Sequence, residues 1–264
     1  MLQYEFMQKA FFVGILLSIM VPCIGSFLVL KRLSMMGDAL SHASLSGIAV
    51  GFLIGINPLL GAFFACVIAA MSIEVLRKRI EKYSEISIAI ITSLGIGLAG
   101  VLSSFIKNTT SFNSFLFGSI VAISNSEVKL IFIIFLVVTL TFIALYKELF
   151  YIIFDEEGAI ISGIKVNLIN FIMSILVGIT IAVSARTVGA LMISSYIVIP
   201  IAASMQISRS FKSTIIIAII YALFSTILGL VLSYYFSLRP GGTIVVILVI
   251  CFFINMSIKK IGSF

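Results

Sequence analysis

The chain has 264 residues, 61% of them hydrophobic and 10% charged, with a formal net charge of +7. That composition lies outside soluble globular usage and calls for several membrane spans. The positive balance comes with no aromatic–basic motif and no basic domain, so it does not point to nucleic acid.

The apolar runs are continuous for about twenty residues, whereas barrel strands would alternate polarity over about ten. The expectation is therefore all-α: a polytopic integral membrane helical bundle of eight or nine transmembrane helices, with residues 1–264 as one transmembrane domain. The first stretch, 6–30, has no small-residue cleavage pattern and reads as a span rather than a removed signal peptide. The second, 35–56, lies in the run KRLSMMGDALSHASLSGIAVGFLIGINP. Further segments of spanning length fall at 58–76, 86–106, 128–149, 167–185, 188–205, 213–236 and 241–258. The stretch 107–127, polar at both ends, predicts a short interfacial or re-entrant helix. Pro200 predicts that 188–205 is broken or re-entrant. Cys23, Cys66 and Cys251 each lie in an apolar run without CxxC spacing, and read as small buried hydrophobes.

With nine spans and the N-terminus outside, the inner loops carry 12 of the 17 Lys and Arg residues and the outer side carries 5. The bias supports this orientation and places the C-terminus in the cytoplasm.

The second span carries the most informative pair. His42 is the only histidine in the chain, and Asp38 is the one carboxylate well inside an apolar segment. Glu74, the nearest rival, lies three residues before Arg77 at the end of a span. A charge at membrane depth costs about 2.5 kcal/mol or more, which makes it a functional-site hypothesis by default. One helical turn puts the carboxylate and the imidazole on one face, and both are ligands that a borderline divalent cation accepts. At about 1.5 Å per residue beyond Lys31 and Arg32, His42 would lie about 15 Å deep, near the middle of a hydrocarbon core about 30 Å thick. Gly37, Ser44, Gly51 and Gly55 form an adjacent small-residue stripe on which another helix could pack.

From the residues alone several readings stay open. The pair could line a substrate or proton path, or Asp38 could hydrogen-bond His42 and merely tie helices together. One His and one Asp are too few for a closed zinc site, but two copies facing a common axis could supply four ligands. An intramembrane protease is disfavoured, because no HExxH occurs. No GxxxxGKS or GxxxxGKT segment occurs either, so the chain cannot cradle ATP itself. It reads as a non-enzyme. A proton-coupled secondary transporter and a purely structural subunit remain as alternatives.

At these residues the chain resembles the membrane permeases of ABC-type importers for zinc, manganese and iron. The resemblance rests on RLSMMGDALSHASLSGIAVG, then on FLFGSI at 115–120, FDEEGAIISGI at 154–164 and VGALMISSYIVIPIAAS at 188–204. It covers nearly the whole chain, in the family's order. It implies a permease domain working as a homodimer in the cell membrane, two cytoplasmic ATPase subunits that bind ATP, and an extracytoplasmic metal-binding protein. No cofactor is implied in this chain itself. By position, Asp38 and His42 match the residues that contact the metal in the translocation path. Asp155, Glu156, Glu157, Gly158 and Gly163 match the segment, about 150–166, that forms a short coupling helix on the ATPase. Manganese-type members often have a proline in a pattern like SHAVLPG, whereas this chain has SHASLSG with Ser46 in that place. It is therefore most similar to the high-affinity zinc-uptake permeases, with manganese or iron as the alternative cargo.

Overall fold

A computed structural model describes residues 3–80, 84–106, 109–118 and 123–261. Residues 119–120 of FLFGSI lie outside the described residues, as do Lys82 and Lys107, two of the loop cations counted above. The described residues form twelve helices and no strand. Eight helices are long and apolar enough to cross a membrane: α1 (Glu5–Leu30), α2 (Met35–Ile54), α3 (Pro58–Arg79), α4 (Ser84–Ser103), α6 (Asn125–Ala144), α9 (Val166–Thr187), α11 (Phe211–Phe236) and α12 (Pro240–Ile261). Four shorter ones lie between them: α5 (Thr109–Phe117), α7 (Tyr146–Phe154), α8 (Glu156–Ile161) and α10 (Ile193–Met205). The expected helical membrane bundle is what the chain forms, and it is a multi-pass membrane protein.

Helices α1, α2 and α9 are the most buried, so the span carrying Asp38 and His42 sits in the interior of the bundle. Helices α4, α6 and α12 leave most of their apolar surface open, as lipid-facing helices do.

Two segments differ from expectation. The run 128–149 is one apolar stretch by composition, but its helix starts at Asn125 and stops at Ala144. The start is set by a capping box, in which Ser124 and Glu127 satisfy each other's backbone N–H groups at 3.3 and 2.7 Å. The stop comes where Tyr146, Lys147 and Glu148 interrupt the apolar run. From there α7 buries only Leu149 and Ile152 and stacks Tyr146, Phe150 and Phe154 around Phe211.

The segment 188–205 is broken, as Pro200 suggested, but the break lies upstream of the proline. Gly189 adopts a left-handed φ of 99°, which ends α9. The following turn donates Ala190 N–H and Leu191 N–H to the Phe115 and Leu116 carbonyls of α5. The 13-residue α10, about 20 Å long, then runs to the other end of the bundle. Val188, just before the turn that leads into α10, lies by Gly241 at the head of α12, and the Ala203 carbonyl of α10 accepts from Asn255 near the tail of α12. Among the described residues eight helices are thus of spanning length, and α10 is a shorter apolar one packed among them. Inside, the Tyr196 hydroxyl lies 2.9 Å from Ser18 and 2.8 Å from Thr226, pinning α10 to α1 and α11. Buried polar groups of this kind are stable only when so paired.

At the end where α5, α9 and α12 meet, backbones touch. A Cβ at Gly118, Gly189 or Gly241 would strike the main chain of a neighbouring segment. Arg186 stacks over Phe115 at 4.5 Å and pairs with Glu127 at 3.5 Å, and Arg239 stacks over Phe117 at 4.2 Å.

Candidate functional site

Helix α2 enters through a tight reversal after α1. Arg32 takes a left-handed φ of 60°, and Leu33 N–H closes the turn on the Leu28 carbonyl at 2.7 Å. The helix therefore begins at Met35, and His42 lies about 10 Å from its start rather than 15 Å, because residues 31–34 form a turn and add no helical rise. Asp38 falls in the first turn, where the positive end of the helix dipole favours a carboxylate.

The sequence placed Asp38 and His42 on one face, and the structure brings them together. His42 Nε2 lies 3.7 Å from Asp38 Oδ1. That exceeds hydrogen-bond length, so the direct Asp–His bond weighed above is not formed. The side chains are 39% and 21% exposed, whereas Ala39, Leu40, Ser41 and Ala43 around them are buried. The pair thus opens on a single face of this chain while its own helix is held on the others. Among the described residues no third His, Cys, Asp or Glu completes a metal-binding group with them.

Three contacts hold this turn of α2. A Cβ on Gly95 of α4 would stand 2.9 Å from the His42 carbonyl carbon and the Ala43 nitrogen, so α4 lies directly on the His42 backbone. The Cys66 thiol of α3 donates to the Leu40 carbonyl at 3.3 Å. Gly37 faces Ser194 and Ile197 of α10. Cys66 is a small hydrophobe as expected, with this weak donor added, and Cys23 is equally buried; Cys251 is half-buried. Nothing in the sequence marked Gly95 among 19 glycines.

The small-residue stripe is partly as expected. Gly51 packs on Pro58 and Ser44 is fully buried. Gly55, in contrast, has open space around it and is the left-handed cap of α2, with φ 78°. Gly47, which fits the same helical spacing, makes the closest α2–α3 approach, against Gly61. Ser46 is buried, donates to the Ala43 carbonyl at 2.8 Å and leaves α2 unbroken.

The loop carrying the three acids does contain a short helix, and the acids differ in what they do. Asp155 caps α8, its Oδ1 accepting Gly158 N–H at 2.8 Å. Its carboxylate lies over Gly158, leaving no space for a Cβ there. Gly163, at φ 80°, ends α8 in a Schellman arrangement: its own N–H reaches the Ile160 carbonyl, and that of Ile164 reaches Ala159. Glu156 accepts from Lys31 Nζ and from Asn170 Nδ2, both at 3.1 Å, and Lys31 also donates to Asn170 Oδ1 at 2.9 Å. Glu157 is exposed. The Lys31 side chain is 7% exposed. Burial lowers its pKa, and the neighbouring Glu156 carboxylate opposes that shift. Ile160 and Ile161 point outward, 59% and 86% exposed.

A family model described as the ABC 3 transport family matches residues 3–259. The chain belongs to that family. It is accordingly a membrane subunit of an ABC transport system. This permease is 34% identical over 262 residues to a "Probable metal transport system membrane protein" of Treponema pallidum, covering 99% of this chain and 98% of that protein. It is 30% identical to the "Manganese transport system membrane protein MntC" of Listeria monocytogenes, over 96% of this chain and 91% of the relative. It is also 30% identical to the "High-affinity zinc uptake system membrane protein ZnuB" of Haemophilus influenzae, over 92% and 94%. A solved structure titled "PsaBC from Streptococcus pneumoniae in complex with Fab" superposes with a TM-score of 0.85 at 27% identity, covering 96% of the permease and 91% of that chain.

Proposed function

We propose that the permease carries a divalent transition-metal ion, zinc first among them, into the cell through a path lined by Asp38 and His42, driven by ATP hydrolysed in partner subunits. The observation that carries this reading is the Asp38–His42 pair itself: two metal-ligand side chains, unbonded to each other, opening on one face of an interior helix. Asp38 supplies charge that offsets the cost of stripping water from the ion, and His42 supplies a neutral nitrogen. Two ligands per chain bind weakly enough for release. A symmetric dimer would bring four to one axis.

Exposed Ile160 and Ile161 on α8 support docking of a cytoplasmic ATPase there. An extracytoplasmic binding protein would deliver the ion at the opposite end. Two ATPase subunits closing on nucleotide would push α8 and change access to the pair. Membership of an ABC transport family speaks against the ATPase-independent secondary transporter. Zinc is favoured over manganese by Ser46, which keeps α2 unbroken where manganese-type members often have proline. Manganese is the second reading, because relatives named for each metal are equally similar to this chain.

The test is uptake of radioactive zinc and manganese into proteoliposomes holding the permease with its cognate ATPase and binding protein, with and without internal ATP. ATP-dependent zinc uptake, lost in His42→Ala and in Asp38→Asn at equal protein levels, is the expected result. Normal uptake in both variants overturns the site. Uptake indifferent to ATP overturns the driven mechanism, and manganese-only uptake overturns the metal.

A further inference from the structure

The short helix α8 is joined to the bundle by a partly buried polar knot. Its single acceptor atom, Glu156 Oε1, takes hydrogen bonds from Lys31 at the end of α1 and from Asn170 in the second turn of α9. The two donors are bonded to each other. A lysine at a helix end ordinarily extends its ammonium into water. Lys31 instead lies buried, with its ammonium 5.7 Å from the Phe27 ring and turned toward Glu156. Desolvating a lysine is costly, and the compensation here is the shared carboxylate and amide.

The position of Lys31 in the chain gives this knot a direction. Residues 32–34 alone separate it from α2, and that turn is fixed by the Leu28–Leu33 hydrogen bond. Asp38 follows in the first turn of α2. A displacement of α8 therefore reaches the head of α2 through one side chain and a closed turn. Asn170 carries the same displacement into α9. One turn further along α9, Ser174 donates to Glu74 of α3 at 3.4 Å, and Glu74 pairs with Arg77 at 3.0 Å. The knot thus joins α1, α8 and α9, and the Ser174–Glu74 bond extends the polar path to α3.

Resting on the reading of α8 as the ATPase contact, we infer that Lys31 and Asn170, through Glu156, are the link that turns displacement of α8 into movement of the Asp38–His42 turn. Lys31 is a positioning residue: it touches no ion. Its role is to make α1, α9 and the head of α2 move with α8.

The experiment measures metal moved per ATP hydrolysed in proteoliposomes containing the complete transporter. The variants are Lys31→Met, Glu156→Gln, Asn170→Leu and the exchange Lys31→Glu/Glu156→Lys. The expected result for the single variants is an assembled complex that still hydrolyses ATP but moves about tenfold less metal per ATP, a loss within the usual range of coupling between sites. The exchange variant recovers a measurable part of that ratio. An unchanged ratio in the single variants overturns the inference. So does a parallel fall of hydrolysis and uptake in Glu156→Gln, whose half-solvated side chain the fold tolerates, because that marks a structural prop. Failure of the wild-type complex to couple ATP to uptake would instead refute the proposed function.

Discussion

Gly95 of α4 lies against the backbone of His42, with no room between them for a methyl group. One helix thereby sets the height and angle of the imidazole in another without any bond to the imidazole itself. Gly95→Ala should therefore lower metal uptake at unchanged donor chemistry, and should destabilise the fold by about 1–3 kcal/mol through overpacking. Gly97→Ala is the control, since a Cβ there meets nothing within 4 Å. Uptake and thermal denaturation of the two variants, side by side, decide the matter.

Ile161→Asp should release the ATPase without disturbing the bundle. The side chain is 86% exposed and buries nothing within this chain. Co-purification of the two subunits should fall steeply while the denaturation midpoint of the permease alone stays within the scatter usual for surface changes, about 0.5 kcal/mol. Full retention of the ATPase would place its contact elsewhere.

Tyr196→Phe removes the hydroxyl shared by Ser18 and Thr226. Those two keep a bond to each other at 2.9 Å, so the loss should be modest, about 1 kcal/mol. Tyr196→Ala also empties a fully buried ring site and should cost about 3–5 kcal/mol. Denaturation midpoints in detergent measure the difference.

Coupled transport should decline toward alkaline pH earlier than the titration of an exposed lysine would give. Lys31 binds Glu156 as the ammonium, and burial, the largest influence on it, lowers its pKa. Arg77 adds to that lowering, while Glu156 and Glu74 oppose it. The link is complete below the lowered pKa and is lost as pH rises through it. Lys31→Arg keeps the charge at every accessible pH, so its metal-per-ATP ratio should not show the alkaline fall. A pH series on wild type and variant tests this.

Much of the bundle was legible because lipid forces long apolar runs into helices. The Asp38–His42 step was legible because charge at that depth is costly and a four-residue spacing fixes a shared face. Features set by distant neighbours were not. Lys31 counted only as one more inner-loop charge, yet it is buried against residues 125 and 139 positions away. Gly47 and Gly95 matter through the backbones they abut, those of α3 and α2, which composition does not place. The break before α10 follows from the φ of Gly189 and from the α5 carbonyls that receive the turn, whereas Pro200, the visible signal, sits inside a continuing helix.

The 3.7 Å gap between Asp38 and His42 also bears on time. In the proposed path, a bonded pair would have to be parted by each arriving ion and would close behind each departing one. At 3.7 Å, with no hydrogen bond between them, Asp38 and His42 would offer lone pairs at once. Residence would then be governed by the ion's own bonds and by the movement of the helices, which is the condition under which an external motor can set the pace.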